Sequence, residues 1–559
     1  MAQTTLAPVK SEPINTGQRP PTSGLNVAQF ILEQLHGWGV QRIYGVIGDA
    51  TLYLLDELGK QNRIRYVPCR HEGAAALMAS AEAKLTGKVA VCLATSGPGA
   101  ANLLNGLSDA YMDRAPVLAI TGQVGTAQIG THAKQYVNQQ QLLGAAVHTS
   151  ELLAHPDALP ELLHACLVQA QTQGTVTHLS VPKDLYHAKV NGVVTPYSAH
   201  LHQPLLSPPP AIAESAALLC GAERPVLLLG RGAAAAAEPV RRLAETLGAA
   251  VVTTYPARPL LPNDHELYAG GLGQGGSEAA SAVLAESDLI AMLGATWWPR
   301  EYVPAQARIV QFDMAPANIG IGHSVEKGVV GDLTHIVPQL LQEAERSRKD
   351  RSGWKRRIAQ LKGEWKARIE REAADDSSPI APQRVMKTIA DQLAEDAIVC
   401  VDTGDHTLWF NRIFQAKRQD ILVSGRWRTL GFALPAAIAA QLSHPGRQVV
   451  AIAGDGGAVQ TIMEFQTAVQ ENAPLVLLVL DNGSYAMEKN RMELAGLNPL
   501  GSSIRNPDFA KLAEACGGVG MKASTANELE ARLKEALSSG KPTLIQVATA
   551  DTVVPHTKI

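Results

Sequence analysis

Short apolar runs that do not alternate with polar residues recur along the chain. They fall at 42–46, 66–69, 89–93, 117–120 and 178–181, then at 226–229, 250–253, 289–293 and 309–312, then at 398–401, 449–453 and 475–480. Such runs read as strands covered on both faces, as in a parallel sheet. Between them the apolar positions space out by three and four. Val27, Phe30, Ile31, Leu35 and Trp38 form one such stripe, and Ile462, Phe465, Ala468 and Val469 another. These stripes predict amphipathic helices. Three successive blocks of alternating strands and helices predict an α/β fold of three doubly wound parallel-sheet domains.

Two interruptions separate the blocks. Residues 190–210 are rich in proline and poor in periodicity, and 344–382 are charge-dense and helical in character. The expected organisation is a flexible N-terminal tail at 1–22, a first domain at 23–190, a central domain at 205–343, a charged helical connector at 344–382, a third domain at 383–548 and a short C-terminal tail at 549–559. The first and third blocks are candidates for two distant copies of one architecture. A length of 559 residues exceeds one ordinary core, which agrees with three domains.

Composition narrows the function classes. A net charge of −3 gives no electrostatic case for nucleic acid or an anionic membrane, and the connector's basic residues are interspersed with acidic ones, as on a solvated helix. Six scattered cysteines without a CxxC pair indicate neither a zinc site nor a disulfide framework, so a cytoplasmic location is expected. No apolar stretch reaches membrane-spanning length.

The chemistry concentrates at 447–485. One apolar run ends on Gly454-Asp455-Gly456-Gly457 and the next on Asp481-Asn482-Gly483. In parallel sheets, ligands bind beyond the carboxyl ends of the strands, where both turns fall. Glycines let the backbone approach a phosphate, and a carboxylate with an amide oxygen suits Mg²⁺ shared with ligand phosphates. Asp455 alone would read first as a helix cap; Asn482 at the end of the following strand is what favours a metal diphosphate. In the first block Glu72 follows a strand and opens an Ala-rich helix, where a lone carboxylate is a favourable N-terminal charge. A second glycine turn, Thr95-Ser96-Gly97-Pro98-Gly99-Ala100-Ala101-Asn102, lies at the next strand end.

The GDG turn followed by Asp481-Asn482 resembles the motif of thiamine-diphosphate-dependent enzymes, with Asp481 in the first position of the family's asparagine pair. The stretch from His71 to Val124 resembles the pyrimidine-binding domain of the acetolactate synthase and pyruvate oxidase branch, and the similarity covers about residues 25–548. The resemblance implies pyrimidine-binding, central and diphosphate-binding domains. It assigns Mg²⁺ to Asp455, Asn482 and the Ser484 carbonyl. It assigns thiamine diphosphate to Gly97, Asn102, Gly404, Asp405, His406, Gly454, Gly456, Gly457, Asn482, Tyr485 and Met487. Glu72 falls on the catalytic glutamate, whose carboxyl group donates to the pyrimidine ring. Leu430 matches the apolar residue that props the bent cofactor, and Gln135 keeps the amide that positions substrate. The resemblance further implies a homodimer or homotetramer with the site across a subunit interface. Gly294-Ala295-Thr296 and 309–319, with Asp313 toward a ribose, resemble the part that binds FAD in flavin-containing members; members without flavin keep the same fold.

The chain departs from the pattern around the substrate. Lys134 and Tyr136 replace the phenylalanine and glutamate that flank the Gln135 position, and a cation at 134 suits either an anionic substrate group or solvent. Arg491 stands where acetolactate synthases usually carry a tryptophan, and Arg426 and Arg428 replace common glycines. Glu488-Lys489 is similar to some oxidase-like and sulfoacetaldehyde acetyltransferase-like members. The extended membrane-binding tail of quinone-linked oxidases is not expected. The expected activity is decarboxylation of a 2-oxoacid, with pyruvate first, and carboligation to a carbonyl acceptor. Oxidation through FAD or acyl transfer is the alternative, with Lys134 and Glu488 as candidate substrate contacts. A non-catalytic paralogue is the reading from another class, and the joint presence of Glu72, Asp455 and Asn482 argues against it.

Overall fold

The computed structural model describes residues 23–201, 203–295 and 299–557. The tail at 1–22, Thr296 of the flavin-like segment and the last two residues of the C-terminal tail lie outside the described residues.

Three parallel six-stranded sheets carry the fold. The first contains Arg42–Gly45, Arg65–Pro68, Ala90–Ala94, Val117–Gln123, Thr149–Leu152 and Val176–Pro182. The central one contains Pro225–Leu229, Ala250–Thr253, Tyr268–Gly271, Leu289–Leu293, Ile309–Asp313 and Lys327–Val330. The third contains Ile398–Val401, Asp420–Val423, Val449–Gly454, Val476–Asp481, Val519–Ala523 and Thr543–Ala548. With each sheet's strands numbered in chain order, the first and third both run 2-1-3-4-6-5. That identity is what two copies of one architecture would give. The central sheet runs 3-2-1-4-5-6, the order of dinucleotide-binding folds.

The strands without a clear apolar run are mostly edges. Thr149–Leu152, Tyr268–Gly271, Lys327–Val330, Asp420–Val423 and Val519–Ala523 each lie at the margin of a sheet, where one side of the strand need not be buried. Thr543–Ala548 is interior, and its polar Gln546 bonds to Asp481. A small antiparallel pair, Ser23–Asn26 with Lys189–Asn191, joins the start of the first domain to its end.

Small residues bring the first and third domains together. The Ala-rich helix Glu72–Thr86 packs on Ala433–Ser443 in one shared core. Buried Lys84 ties this contact: it pairs with Asp109 at 2.6 Å and Asp113 at 2.7 Å and donates to the Val423 carbonyl at 3.1 Å. Asp113 in turn accepts from the Gly425 and Arg426 N–H groups at 2.8 and 2.9 Å.

Two expectations change. The connector is not wholly solvated, because Ser352–Ala373 buries Trp354, Ile358, Leu361, Trp365, Ile369 and Ala373 at helical spacing against the central core. The stripe after Gly457 is split into two short helices, Asp455–Thr461 and Glu464–Gln470. Glu464 opens the second and reaches across to the first domain, accepting from the Arg70 and His71 N–H groups at 2.9 and 3.0 Å. Beyond residue 548 the chain returns to the central domain, where Thr557 Oγ donates to the Gly273 carbonyl at 2.9 Å. Among the described residues no helix is long and apolar enough to cross a membrane.

Candidate functional site

Four turns gather at the carboxyl edge of the third sheet, next to the point where its strand order reverses. They follow Ile398–Val401, Val449–Gly454 and Val476–Asp481, and the fourth is the Gly425–Gly431 loop. Asp402 fastens two of them: its Oδ1 accepts from the Thr403 and Gly431 N–H groups at 2.7 and 3.0 Å. Burial pushes its carboxyl up to about 6, against these bonds. Thr461 Oγ donates to the Gly431 carbonyl at 3.0 Å, so the half-buried Leu430 is held beside the helix that Asp455 opens.

Asp455 is 2% exposed and accepts from four N–H groups. Oδ1 takes Gly456 N at 2.7 Å; Oδ2 takes Asn482 N at 3.2 Å, Gly483 N at 2.7 Å and Asn506 Nδ2 at 2.7 Å. Burial raises this carboxyl above the ordinary range, the bonds from Asn506, Gly456 and Gly483 oppose the rise, and Asp481's charge adds to it. Asn482 Oδ1 faces back to the Ser484 N–H at 3.0 Å. Carboxylate, amide oxygen and the Ser484 carbonyl, the groups the resemblance assigns, would make an all-oxygen donor set of the kind that suits Mg²⁺.

The neighbouring groups fit a diphosphate. A Cβ on Gly456 would lie 2.3 Å from Tyr485 Cε1, so only glycine allows that ring beside the turn. Gly457 backs directly onto the Asp402 carboxylate, and Gly404 and Gly454 leave room for the His406 ring. His406 is buried and held neutral, its basicity lowered to about 4 by desolvation. Its Nε2 has no hydrogen-bond partner among the described residues, a donor site that an anionic oxygen would complete. Met487 is half-buried on Ala486–Leu494, while Glu488 on the same helix is exposed and lies 3.5 Å from Arg491. Lys489 reaches Asp551 at 2.7 Å.

Burial, with the charge of Asp551, pushes Asp405 up to about 7. A carboxyl whose folded value lies above its unfolded one penalises the fold fully above that value, and the penalty fades as pH falls toward about 4. Asp405→Asn, without added cofactor, is therefore expected to raise Tm by about 2–4 °C at pH 8 and to leave it unchanged near pH 4. Differential scanning calorimetry at the two pH values checks this.

The first domain holds a second cluster. Glu72 is 9% exposed at the start of its helix and accepts from Asn102 Nδ2 at 3.0 Å. Gly97, with φ +63°, lets the backbone of Gln135 come close: a Cβ there would sit 2.8 Å from the Gln135 carbonyl. Gln135 itself has φ +63° and Arg428 φ +59°, a conformation disfavoured for side-chain-bearing residues and concentrated at functional sites. Lys134 is exposed and in no ion pair among the described residues. No hydrogen bond or ion pair in the described chain joins Glu72, Asn102 or Gln135 to the Asp455 cluster; bonds between the two domains include instead those of Glu464 with Arg70 and His71 and of Asn105 with Trp427 and Thr429.

In the central domain Gly294 has φ +59° and its carbonyl accepts from the Gly232 N–H at 3.1 Å, so the two glycine turns at the switch point close on each other. Asp313 Oδ1 accepts from Ala315 N at 2.9 Å and Asn318 Nδ2 at 2.7 Å. Both candidate flavin residues are engaged by the chain itself, which gives the flavin reading no support from them.

Sequence reasoning placed Asp402 in the 402–406 loop of the diphosphate site but missed its anchoring role, and it missed Asn506 and Asp551. Asn506 lies in the aperiodic Arg505-Asn506-Pro507-Asp508 stretch, and its tie to Asp455 depends on a loop that returns to the sheet edge.

Comparison with known proteins covers each domain. Three family descriptions match: the N-terminal TPP binding domain of thiamine pyrophosphate enzymes over 25–142, their central domain over 212–340, and their C-terminal TPP binding domain over 402–547. A Bacillus subtilis protein described as thiamine pyrophosphate-containing, YdaP, is 34% identical over 93% of this chain and 91% of its own length. The acetolactate synthase isozyme 2 large subunit of Escherichia coli is 31% identical over 94% of this chain and 95% of its own. The pyruvate oxidase of Lactiplantibacillus plantarum is 30% identical over 95% and 89%.

Proposed function

Because the chain belongs to the thiamine-diphosphate-dependent enzymes, in the branch of the acetolactate synthases and pyruvate oxidases, we propose that it decarboxylates a 2-oxoacid, pyruvate first, and joins the remaining acyl unit to a carbonyl acceptor. The observation that carries this reading is the pairing of two acidic clusters, Asp455 with Asn482 and Glu72 with Asn102, on sheets of identical strand order. Thiamine diphosphate, when bound, supplies the electron sink for loss of CO₂. Asp455, Asn482 and the Ser484 carbonyl would hold Mg²⁺, His406 and the Gly454–Gly457 turn the diphosphate, and Leu430 the bend of the cofactor. Glu72 would face the pyrimidine as the group that exchanges a proton with it, and Gln135 would orient the substrate.

Carboligation breaks one carbon–carbon bond, forms another and protonates the acceptor oxygen, so it needs no oxidant. The candidate flavin residues lend the oxidative alternative no support, since Gly294 is bonded by Gly232, and Asp313 by Ala315 and Asn318 of its own turn. Acyl transfer to an anionic acceptor is the second reading, from a donor such as sulfoacetaldehyde that reaches the acyl level by losing its own leaving group, sulfite; exposed Lys134 and Arg491 in the usual tryptophan position favour it.

A second copy of the chain would complete the site. Val459 and Met463, 39% and 51% exposed, lie just beyond Asp455 and give that side of the third domain an apolar surface for such a copy to cover.

Purified protein given thiamine diphosphate, Mg²⁺ and pyruvate is expected to release CO₂ and form a product with a new carbon–carbon bond. Bleaching of a flavin absorption band would identify an oxidase, and an acetylated anion formed without a flavin from sulfoacetaldehyde, which expels sulfite to reach the acetyl level, an acyltransferase. Failure to bind the cofactor would leave a non-catalytic paralogue.

A further inference from the structure

Asp481 occupies the place of an asparagine in the family pattern, and its surroundings give that change a consequence. A single nitrogen, Asn506 Nδ2, donates to Asp455 Oδ2 at 2.7 Å and to Asp481 Oδ1 at 2.8 Å. The two oxygens are therefore at most about 5.5 Å apart, close enough for each carboxylate to feel the other's charge. Asp481 Oδ2 accepts from Gln546 Nε2 at 2.7 Å on the neighbouring strand. Both amide partners are neutral, and among the described residues neither carboxylate is in an ion pair with a Lys, Arg or His.

We infer that Asp481 belongs to the cation-binding charge of the site. It acts through space on a divalent cation held at Asp455, and Asn506 is the positioning residue that fixes the separation of the two carboxylates. This deepens the metal reading above and rests on it. Asn506 and Gln546 bond the carboxylates without bringing a positive charge, so among the described residues the chain places no counter-charge on the pair. A hard divalent cation is the ligand that such a pair favours. An asparagine at 481 would keep one acceptor oxygen and lose the charge.

The test is titration of Mg²⁺ into the full-length protein at saturating thiamine diphosphate, followed by intrinsic tryptophan fluorescence at low and high ionic strength. Asp481→Asn is expected to raise the half-saturating Mg²⁺ concentration about tenfold at low salt, with a smaller difference at high salt. Asp481→Glu, which keeps the charge, is expected to stay near the parent, and thiamine diphosphate affinity at saturating Mg²⁺ is expected to hold in all variants. An unchanged Mg²⁺ titration for Asp481→Asn overturns the inference. So does a loss equal at both salt concentrations, or an equal loss in Asp481→Glu, because a purely structural role would produce either. If the parent itself binds neither Mg²⁺ nor cofactor, the cofactor reading falls first; if it binds and only the variants fail to differ, the inference alone falls.

Discussion

Glu72→Gln is expected to lower kcat for CO₂ release by about 10²–10⁴-fold, while cofactor affinity changes little. Glutamine has the same shape and can still accept from Asn102 Nδ2, which lies 3.0 Å from the carboxylate. The helix that Glu72 opens is buried along most of its length and keeps its alanine contacts with the third domain. The substitution therefore removes one thing, a carboxyl group able to gain and lose a proton. An amide donates a hydrogen bond but does not transfer its proton near neutral pH, so the proton-moving role is lost and the binding role is kept. Steady-state CO₂ release together with fluorescence titration of thiamine diphosphate separates the two. Full turnover in the variant would remove Glu72 from the chemistry, and a matching loss of cofactor binding would make its role structural.

How far the sequence reached can be followed along particular elements. Strands buried on both faces announce themselves: Leu289–Leu293 and Ile398–Val401 have the bounds that their apolar runs predict. Edge strands do not, because Thr149–Leu152 and Lys327–Val330 are paired on one side only and carry residues that tolerate water. Domain number and strand–helix alternation follow from pattern, but strand order does not. The identity of the first and third sheets is a matter of which strands pair across long connections. Turn residues at strand ends, such as Asp455 and Asn482, were legible because the parallel sheet places its ligands there. Asn506 and the anchoring bond of Asp402 were not, since each is a hydrogen bond to a residue distant in sequence. Asp481 was legible as a departure and not as a charge, because its nearness to Asp455 is set by Asn506.

Mixing two inactive variants is expected to restore activity. Asp455→Asn removes the carboxylate from the proposed metal donor set and is expected to abolish Mg²⁺-dependent cofactor binding in its own third domain. Glu72→Gln leaves that domain whole and disables the first. In the described chain the two clusters share no hydrogen bond or ion pair, and the first and third domains meet through contacts that include the Ala-rich helices, Lys84 and Glu464, not through a bond between Glu72 and Asp455. If each site takes Glu72 from one chain and Asp455 from its partner, a dimer of the two variants contains one doubly damaged site and one with every residue intact. Random re-pairing makes half of the dimers mixed, so dissociation and reassociation of equal amounts should recover about a quarter of parental activity. Sites built within one chain would carry one lesion each in every combination and recover nothing. The readout is therefore close to all-or-none, and it separates a shared site from two independent ones whichever acceptor the enzyme uses.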